Sequence, residues 1–495
     1  MASLAGTTVA DSALFAEVSA AWDRGEAHTM LPKLERALPR STDYRLWHIH
    51  GLILRNLERH EDALKSLKRA VELAPNAPNP AHALARTLNE AGLPSVEAFA
   101  RALRLAPGNP EMLLGLTGAL VSERRIDEAI AGLERSLSFT PHWVNGHATL
   151  SKLRWMQGER QGFARSYDEA LARFPGNLEL RREQITALVH AEHWEDGLRA
   201  IAAGRAALGP STMFDANEAT VYSEMGDSAR ADALFAPLAE LPDPTIQLRR
   251  VRHDLRNGRP AEAGLTIDPW LEGPQAHLFW PYASIAWRMT GDPRWEWLEG
   301  DPRMVGVYDI ADRLPDLDEL VAVLRRLHTV RGEPLEQSLR GGTQTDGNLF
   351  QHIDPMIVKL REAIRSAVAE HVAGLPPVDE SHPFLAADRQ KPIRFAGAWS
   401  VRLSSGGYHA NHVHPAGWIS SALYLVLPPD LGKSEAGLLT LGEPQAQLKL
   451  GLGPTRMVEP KPGRLALFPS WMWHGTRPFG AGERITVAFD VANPA

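Results

Sequence analysis

GGYHANHVHP, residues 406–415, and PKPGRLALFPSWMWHGTRPFGAGERIT, residues 460–486, are the stretches around which the rest of the chain is organised. The first sets His412 and His414 two apart, just before a β-rich run. Successive side chains of a strand alternate faces, so residues 412 and 414 project to one side and can bind one ion together, whereas His409 falls out of that phase. The second sets His474 behind the apolar run Leu465-Ala466-Leu467-Phe468, with Arg484 ten residues further on and Thr486 two beyond it. A histidine pair, a long gap, a third histidine and then an arginine suggests a facial three-ligand metal site with open positions.

The surrounding pattern predicts the scaffold. From Pro392 onward the runs IRFAGAWSVRL, WISSALYLVL, GLLTL, GRLALF and RITVAFDV are rich in β-formers and are separated by Gly, Pro and Ser. Short strands in succession predict an antiparallel sandwich or barrel, and a jelly roll is the form whose mouth can host a metal.

SLRGGTQTDGNLF, GGYHANHVHPAGWISSALYLVLP, FPSWMWHGTRPF and ERITVAFD together resemble the double-stranded β-helix of 2-oxoglutarate and Fe(II)-dependent oxygenases that follow a tetratricopeptide-repeat region. The likeness covers roughly residues 330 to 495. It implies that His412 and His474 are iron ligands and that Arg484 and Thr486 hold the distal carboxylate of 2-oxoglutarate, with Tyr424 and Tyr408 as further candidate contacts. Most of that superfamily has Asp or Glu where His414 stands, so a three-histidine site and one with two protein ligands both remain open. It further implies Fe(II), 2-oxoglutarate and O₂ as reagents, and hydroxylation of a C–H bond coupled to formation of succinate and CO₂. An imidazole in place of a carboxylate would leave the metal unit one charge more positive.

Arg484 also has a purely structural reading. A guanidinium taken into a barrel without a partner costs several kcal/mol, and Glu483 or Asp490 could meet it; Asp490 is in phase with Arg484 and Thr486. A bidentate fork with a hydroxyl two residues away equally suits a dicarboxylate ligand.

The N-terminal half is helical and repetitive. Trp47, Gly51, Ala63, Leu67, Ala70 and Pro75 fall where a 34-residue tetratricopeptide unit wants its large residues, its small residues and its terminal proline. Prolines at 75, 107, 141, 175 and 210 continue the register. About six or seven repeats are expected from roughly residue 10 to 265, and stacking them buries the apolar faces that one repeat cannot. Trp143, Trp155, Trp194 and Tyr222 read as packing, although such superhelices also offer a concave face to extended peptides. Residues 266–300 become dense in Pro and Trp, which predicts an irregular helical cap, with a ligand-binding aromatic cluster as the alternative. Residues 316–328 and 355–373 read as amphipathic helices. Between them, Gly341 and Gly342 predict a tight turn, and the resemblance would bring Arg340, Gln344 and Thr345 towards the mouth of the site.

The expected organisation is therefore α+β and multidomain: residues 1–265 a TPR-like helical solenoid, 266–335 a helical cap or linker, and 336–495 a double-stranded β-helix. At 495 residues the chain is too long for one core. Its formal net charge of −7 offers no electrostatic reason to expect nucleic acid or an anionic membrane. No cysteine is present, which excludes disulfides, thiolate metal sites and a cysteine nucleophile. The first residues lack a leader pattern and no run of about twenty apolar residues occurs, so a cytoplasmic location is the expectation. The preferred function is a hydroxylase of a protein or peptide side chain presented by the repeats. The alternatives are a small-molecule dioxygenase with a three-histidine site and a non-catalytic repeat adaptor.

Overall fold

The structure, a computed structural model, describes residues 8–330, 332–335, 337–429, 431 and 435–494. Residues 1–7, on which part of the leader reading fell, lie outside the described residues. The chain divides into two compact units, one running to Thr140 and including Asp346–Val358, the other made of Pro141–Thr345 and the chain from Lys359 onward.

The first unit is built from helix pairs. Tyr44–Asn56 packs on His60–Leu73, and the contact is possible because residue 51 is glycine: a Cβ there would stand 2.6 Å from Leu67 Cγ. Ala63, Leu67 and Ala70 are fully buried in that contact. Asp43 caps the first helix by accepting a hydrogen bond from the Arg45 amide, satisfying one of its orphan donors. Pro78–Glu90 with Val96–Leu105 and Pro110–Ser122 with Ile126–Phe139 repeat the arrangement. Helices end at Leu73, Leu105, Phe139, Arg173 and Leu208, each two residues before a proline of the sequence register. Proline has no N–H to donate and keeps the residue before it out of the helical region, so it stops the helix there. The segment Asp346–Val358 packs within this unit, where the Ile353 amide donates to Ala91 O at 3.2 Å.

In the second unit, helix pairing continues through Pro244–Arg256 and Pro260–Ile267. The tryptophan-rich segment then forms the helix Ala276–Thr290, with Pro281 inside it and Phe279 and Trp287 buried. Two antiparallel sheets follow. Their strands are β1 (Gly306–Asp309), β2 (Leu339–Gln344), β3 (Phe395–His409), β4 (Gly417–Val426), β5 (Leu439–Leu441), β6 (Arg456–Val458), β7 (Arg464–Pro469), β8 (His474–Thr476) and β9 (Arg484–Ala492). The order is β1-β7-β4-β9-β3-β2 in one sheet and β6-β5-β8 in the other. Ala466 and Phe468 of the large sheet share a core with Leu439, Leu441 and Val458 of the small one. The chain thus has an N-terminal TPR-like helical region and a C-terminal antiparallel double sheet of the jelly-roll kind.

All five strand runs read from the sequence are strands, namely β3, β4, β5, β7 and β9. The expected turn at Gly341 is instead a β-bulge inside β2, with Gly341 at φ +72° and a register shift against β3 between Arg340 and Gly342. An extra residue in the left-handed region bends a strand without ending it. The segment expected as a helical cap also adds β1, which pairs with β7 on the edge of the large sheet.

Candidate active site

His412 and His474 are brought together by backbone pairing. The His412 amide donates to His474 O at 2.9 Å and the His474 amide donates to His412 O at 3.0 Å. The His414 amide donates to Ser470 O at 2.8 Å, so residues 410–414 run beside 470–474 and the long sequence gap closes. The ring centroids of His412 lie 4.2 Å from His474 and 4.9 Å from His414, and one nitrogen of each of the three rings lies within 4.8 Å of the others.

The hydrogen bonds settle which nitrogens those are. His412 Nδ1 donates to Ala410 O at 2.9 Å, His474 Nδ1 donates to Met472 O at 2.9 Å, and His414 Nδ1 bonds Asp490 Oδ2 at 2.6 Å. Carbonyl and carboxylate oxygens only accept, so each Nδ1 carries a proton and each Nε2 is the ring atom that can face a cation. Burial, reinforced by the neighbouring imidazoles, holds His412 and His474 well below the ordinary histidine range, so both stay neutral. The donor set therefore fits a divalent transition metal. The Ser338 hydroxyl lies 3.2 Å from His412 Nε2 and 3.1 Å from His409 Nδ1. His409, out of phase in the sequence, lines the same cavity, and burial pushes it down to about 3.

Arg484 and Thr486 line the cavity on the side provided by β9. Arg484 is 1% exposed; Nη1 donates to Gly437 O at 3.2 Å and Nε has no partner among the described residues. Neither carboxylate considered from the sequence meets it. Glu483 bonds Arg325 and Arg402, and Asp490 bonds His414 and Ser420. Tyr424 is not on the cavity wall: its ring lies under the guanidinium, 4.9 Å from it, and its buried hydroxyl also has no partner among the described residues. The site thus has a desolvated cation aimed into a space that it shares with three imidazoles, which fits a dianion that also reaches a metal.

Tyr408 is placed elsewhere. It lines an adjoining groove of about 620 Å³, together with Arg340, Asn411 and Gln447, and the groove shares His409 and Thr476 with the histidine cavity. The loop from Gly442 to Gly453 walls this groove and is held by the helices: Arg288 donates to Gly442 O and Gly453 O at 2.8 and 2.7 Å, and Arg256 donates to Gln447 O at 2.9 Å. Of the residues flanking the bulge, Arg340 faces the groove and Gln344 the histidine cavity, while Thr345 is buried and accepts from the Ser400 amide. Ser338, Ser420 and Trp399 are site residues that carried no sequence signal. Asp490 did carry one, its phase with Arg484, but the partner it has is a histidine.

Residues 397–490 match the family described as "Putative 2OG-Fe(II) oxygenase", and residues 44–77 match the tetratricopeptide repeat. The chain carries a tetratricopeptide repeat and a C-terminal domain of 2-oxoglutarate–Fe(II) oxygenase type. Over 83 residues it is 30% identical to the Hsp70-Hsp90 organizing protein of Triticum aestivum, a stretch that spans 17% of this chain and 14% of that one. Among solved structures, it is similar to a tetratricopeptide repeat protein from Parabacteroides merdae, at 15% identity and a TM-score of 0.32, covering 56% of this chain and 98% of that one. It is also similar to a Pseudomonas putida prolyl-4-hydroxylase, at 18% identity and a TM-score of 0.26, covering 39% of this chain and 94% of that one. Among the described residues, no helix is long and apolar enough to cross a membrane.

Proposed function

We propose that this protein is a 2-oxoglutarate- and Fe(II)-dependent hydroxylase acting on a side chain of a protein or peptide. The observation that carries the reading is Arg484, a buried guanidinium that meets no carboxylate among the described residues and opens onto a cavity shared with three imidazoles whose Nδ1 atoms are each turned to an oxygen of the protein. His412, His414 and His474 would hold Fe(II). Arg484 and Thr486 would hold the distal carboxylate of 2-oxoglutarate, with Tyr424 fixing the plane of the fork from below. Bound Fe(II), with 2-oxoglutarate and O₂, supplies the oxidant that hydroxylates a C–H bond, leaving succinate and CO₂.

The chain's part is positioning and exclusion. Backbone carbonyls at 410 and 472 and the carboxylate of Asp490 fix three ring orientations before any ligand arrives, so little ordering remains to be done on binding. Leu439, Ala422, Phe468 and Ala488 line the cavity with apolar surface that keeps stray water from the reacting atoms. The groove beside the cavity, with Tyr408 and Arg340 on its wall, has the size for a short extended segment, and helices of the second unit brace its loop. On this reading, residues 1–265 recruit the substrate, 266–335 connect, and 336–495 carry out the chemistry.

Succinate release that needs Fe(II) and disappears in His474→Ala is the expected result. Turnover of a thiol without succinate would point to a small-molecule dioxygenase, and no turnover with intact partner binding to an adaptor. Mass spectrometry of host proteins with and without this gene, searching for one added oxygen atom, then identifies the substrate.

A further inference from the structure

Three imidazoles define the candidate metal centre, but their supports differ in charge. His412 and His474 donate to neutral backbone carbonyls, whereas His414 Nδ1 is bonded to a carboxylate, Asp490 Oδ2, at 2.6 Å. That carboxylate is itself fixed. Its Oδ1 accepts from Ser420 Oγ at 2.6 Å, and Ser420 Oγ lies 3.1 Å from Ser470 Oγ. Ser470 is also the residue whose carbonyl accepts from the His414 amide. On the ring's face, the Trp399 indole stacks at 5.5 Å with 21° between planes. His414 is thus held from its edge, its face and its backbone.

The placement of the acid matters as much as the bond. Asp490 stands on β9 in phase with Arg484, Thr486 and Ala488, and all four line the cavity. An acid on that face could have neutralised Arg484. It does not, and Glu483 is occupied by Arg325 and Arg402 on the outside of the barrel. The chain therefore keeps its cation open towards the cavity and directs its internal carboxylate onto one histidine.

Resting on the metal-site reading above, we infer that Asp490 is a positioning residue that acts through His414, returning to the metal centre the negative charge that an acidic third ligand would have brought. A carboxylate bonded to the far nitrogen of a ligating imidazole fixes its tautomer and raises its basicity, and such partners are worth about 10- to 100-fold in metal affinity. The expectation that a third histidine leaves the centre one charge more positive then holds only for the ligands themselves; one residue further out, beyond the His414 ring, the balance is restored.

Asp490→Asn tests this, because asparagine keeps the shape and can still accept from His414 Nδ1 but carries no charge. Anaerobic titration of the metal-free protein with Fe(II), and separately with Co(II), is read by calorimetry and by the visible absorption of the Co(II) form. The expected result is binding weaker by about 10- to 100-fold with an unchanged melting temperature of the metal-free protein. In a His414→Ala background, Asp490→Asn should cost nothing further, which separates action through His414 from direct ligation. Ser420→Ala, which removes one support of the carboxylate, should give a several-fold loss and keeps the question answerable if Asp490→Asn does not fold. Wild-type affinity in both Asp490→Asn and Ser420→Ala overturns the inference while leaving the metal site standing, as does an undiminished Asp490→Asn effect in the His414→Ala background. A wild-type protein that binds neither metal overturns both this inference and the proposed function.

Discussion

Arg484→Met is expected to separate stability from function in opposite directions. In the ligand-free protein, the guanidinium has left water for one carbonyl at 3.2 Å and the face of Tyr424 at 4.9 Å. A hydrogen bond from a charged group contributes about 1.5–3 kcal/mol and a desolvated cation–π contact about 2. The desolvation of a buried cation is several kcal/mol, so the two sides nearly cancel or leave the charge uncompensated. A methionine of similar reach carries no such cost, and the metal-free, ligand-free protein should be unchanged or more stable by up to about 2 kcal/mol. Binding should behave otherwise: removing one partner of a buried charged pair costs about 2–5 kcal/mol, or about 30-fold to several-thousand-fold in 2-oxoglutarate affinity. Urea unfolding of the ligand-free protein and 2-oxoglutarate titration of the Co(II)-loaded protein measure the two quantities. In wild type, 2-oxoglutarate at about 100 times its Kd should add about 2.7 kcal/mol of stability, and that increment should vanish in the variant. A variant that loses more than about 2 kcal/mol of ligand-free stability but still binds 2-oxoglutarate normally would show that Arg484 serves the fold.

The helix contact at Gly51 is close enough that Gly51→Val should cost about 1–3 kcal/mol by overpacking against Leu67, read as a lower unfolding midpoint with Fe(II) affinity unchanged. Burial lowers His328 and His371 from an ordinary 6.5 to about 4. Below pH 6.5 the unfolded chain binds protons there that the native state does not, so stability falls with pH from about 6.5 towards 4, by on the order of 2 kcal/mol per residue at pH 5; denaturant melts at pH 7.5 and 5.0 check this, and His371→Gln should flatten the slope. Arg288→Ala releases the loop that walls the groove. It should raise the KM for a protein substrate several-fold, as two charged hydrogen bonds of about 1.5–3 kcal/mol would if partly spent on ordering that loop, while substrate-free decay of 2-oxoglutarate stays constant.

What each kind of information revealed follows from the range of the physics involved. Local rules suffice for the helix ends before prolines 75, 107, 141, 175 and 210, for the close approach at Gly51, and for the strands β3, β4, β7 and β9. Missing N–H groups, missing Cβ atoms and apolar periodicity all act within a few residues. β6, β8 and β1, of three or four residues, have too little pattern to stand out, whereas β5, equally short, lies in the apolar run GLLTL; β1 is a strand because β7 has an open edge for it. The bulge at Gly341 was legible as a special backbone position, but whether it turned the chain or bent a strand depended on β3 lying alongside.

The candidate site divides the same way. His412, His414, His474, Arg484 and Thr486 could be named from residue type, spacing and resemblance, since each needs only its own chemistry and the parity of its strand. Their partners could not. Asp490 was visible as an inward-facing acid, yet nothing in the order of residues says whether it meets Arg484 on its own strand or His414 across the barrel. That choice sets the charge at the metal and leaves the guanidinium open, and it was made by the register between β9 and β4, which puts Ser420 opposite Asp490. Register is the sum of many weak backbone and packing terms along two distant strands, and only the folded chain adds them up.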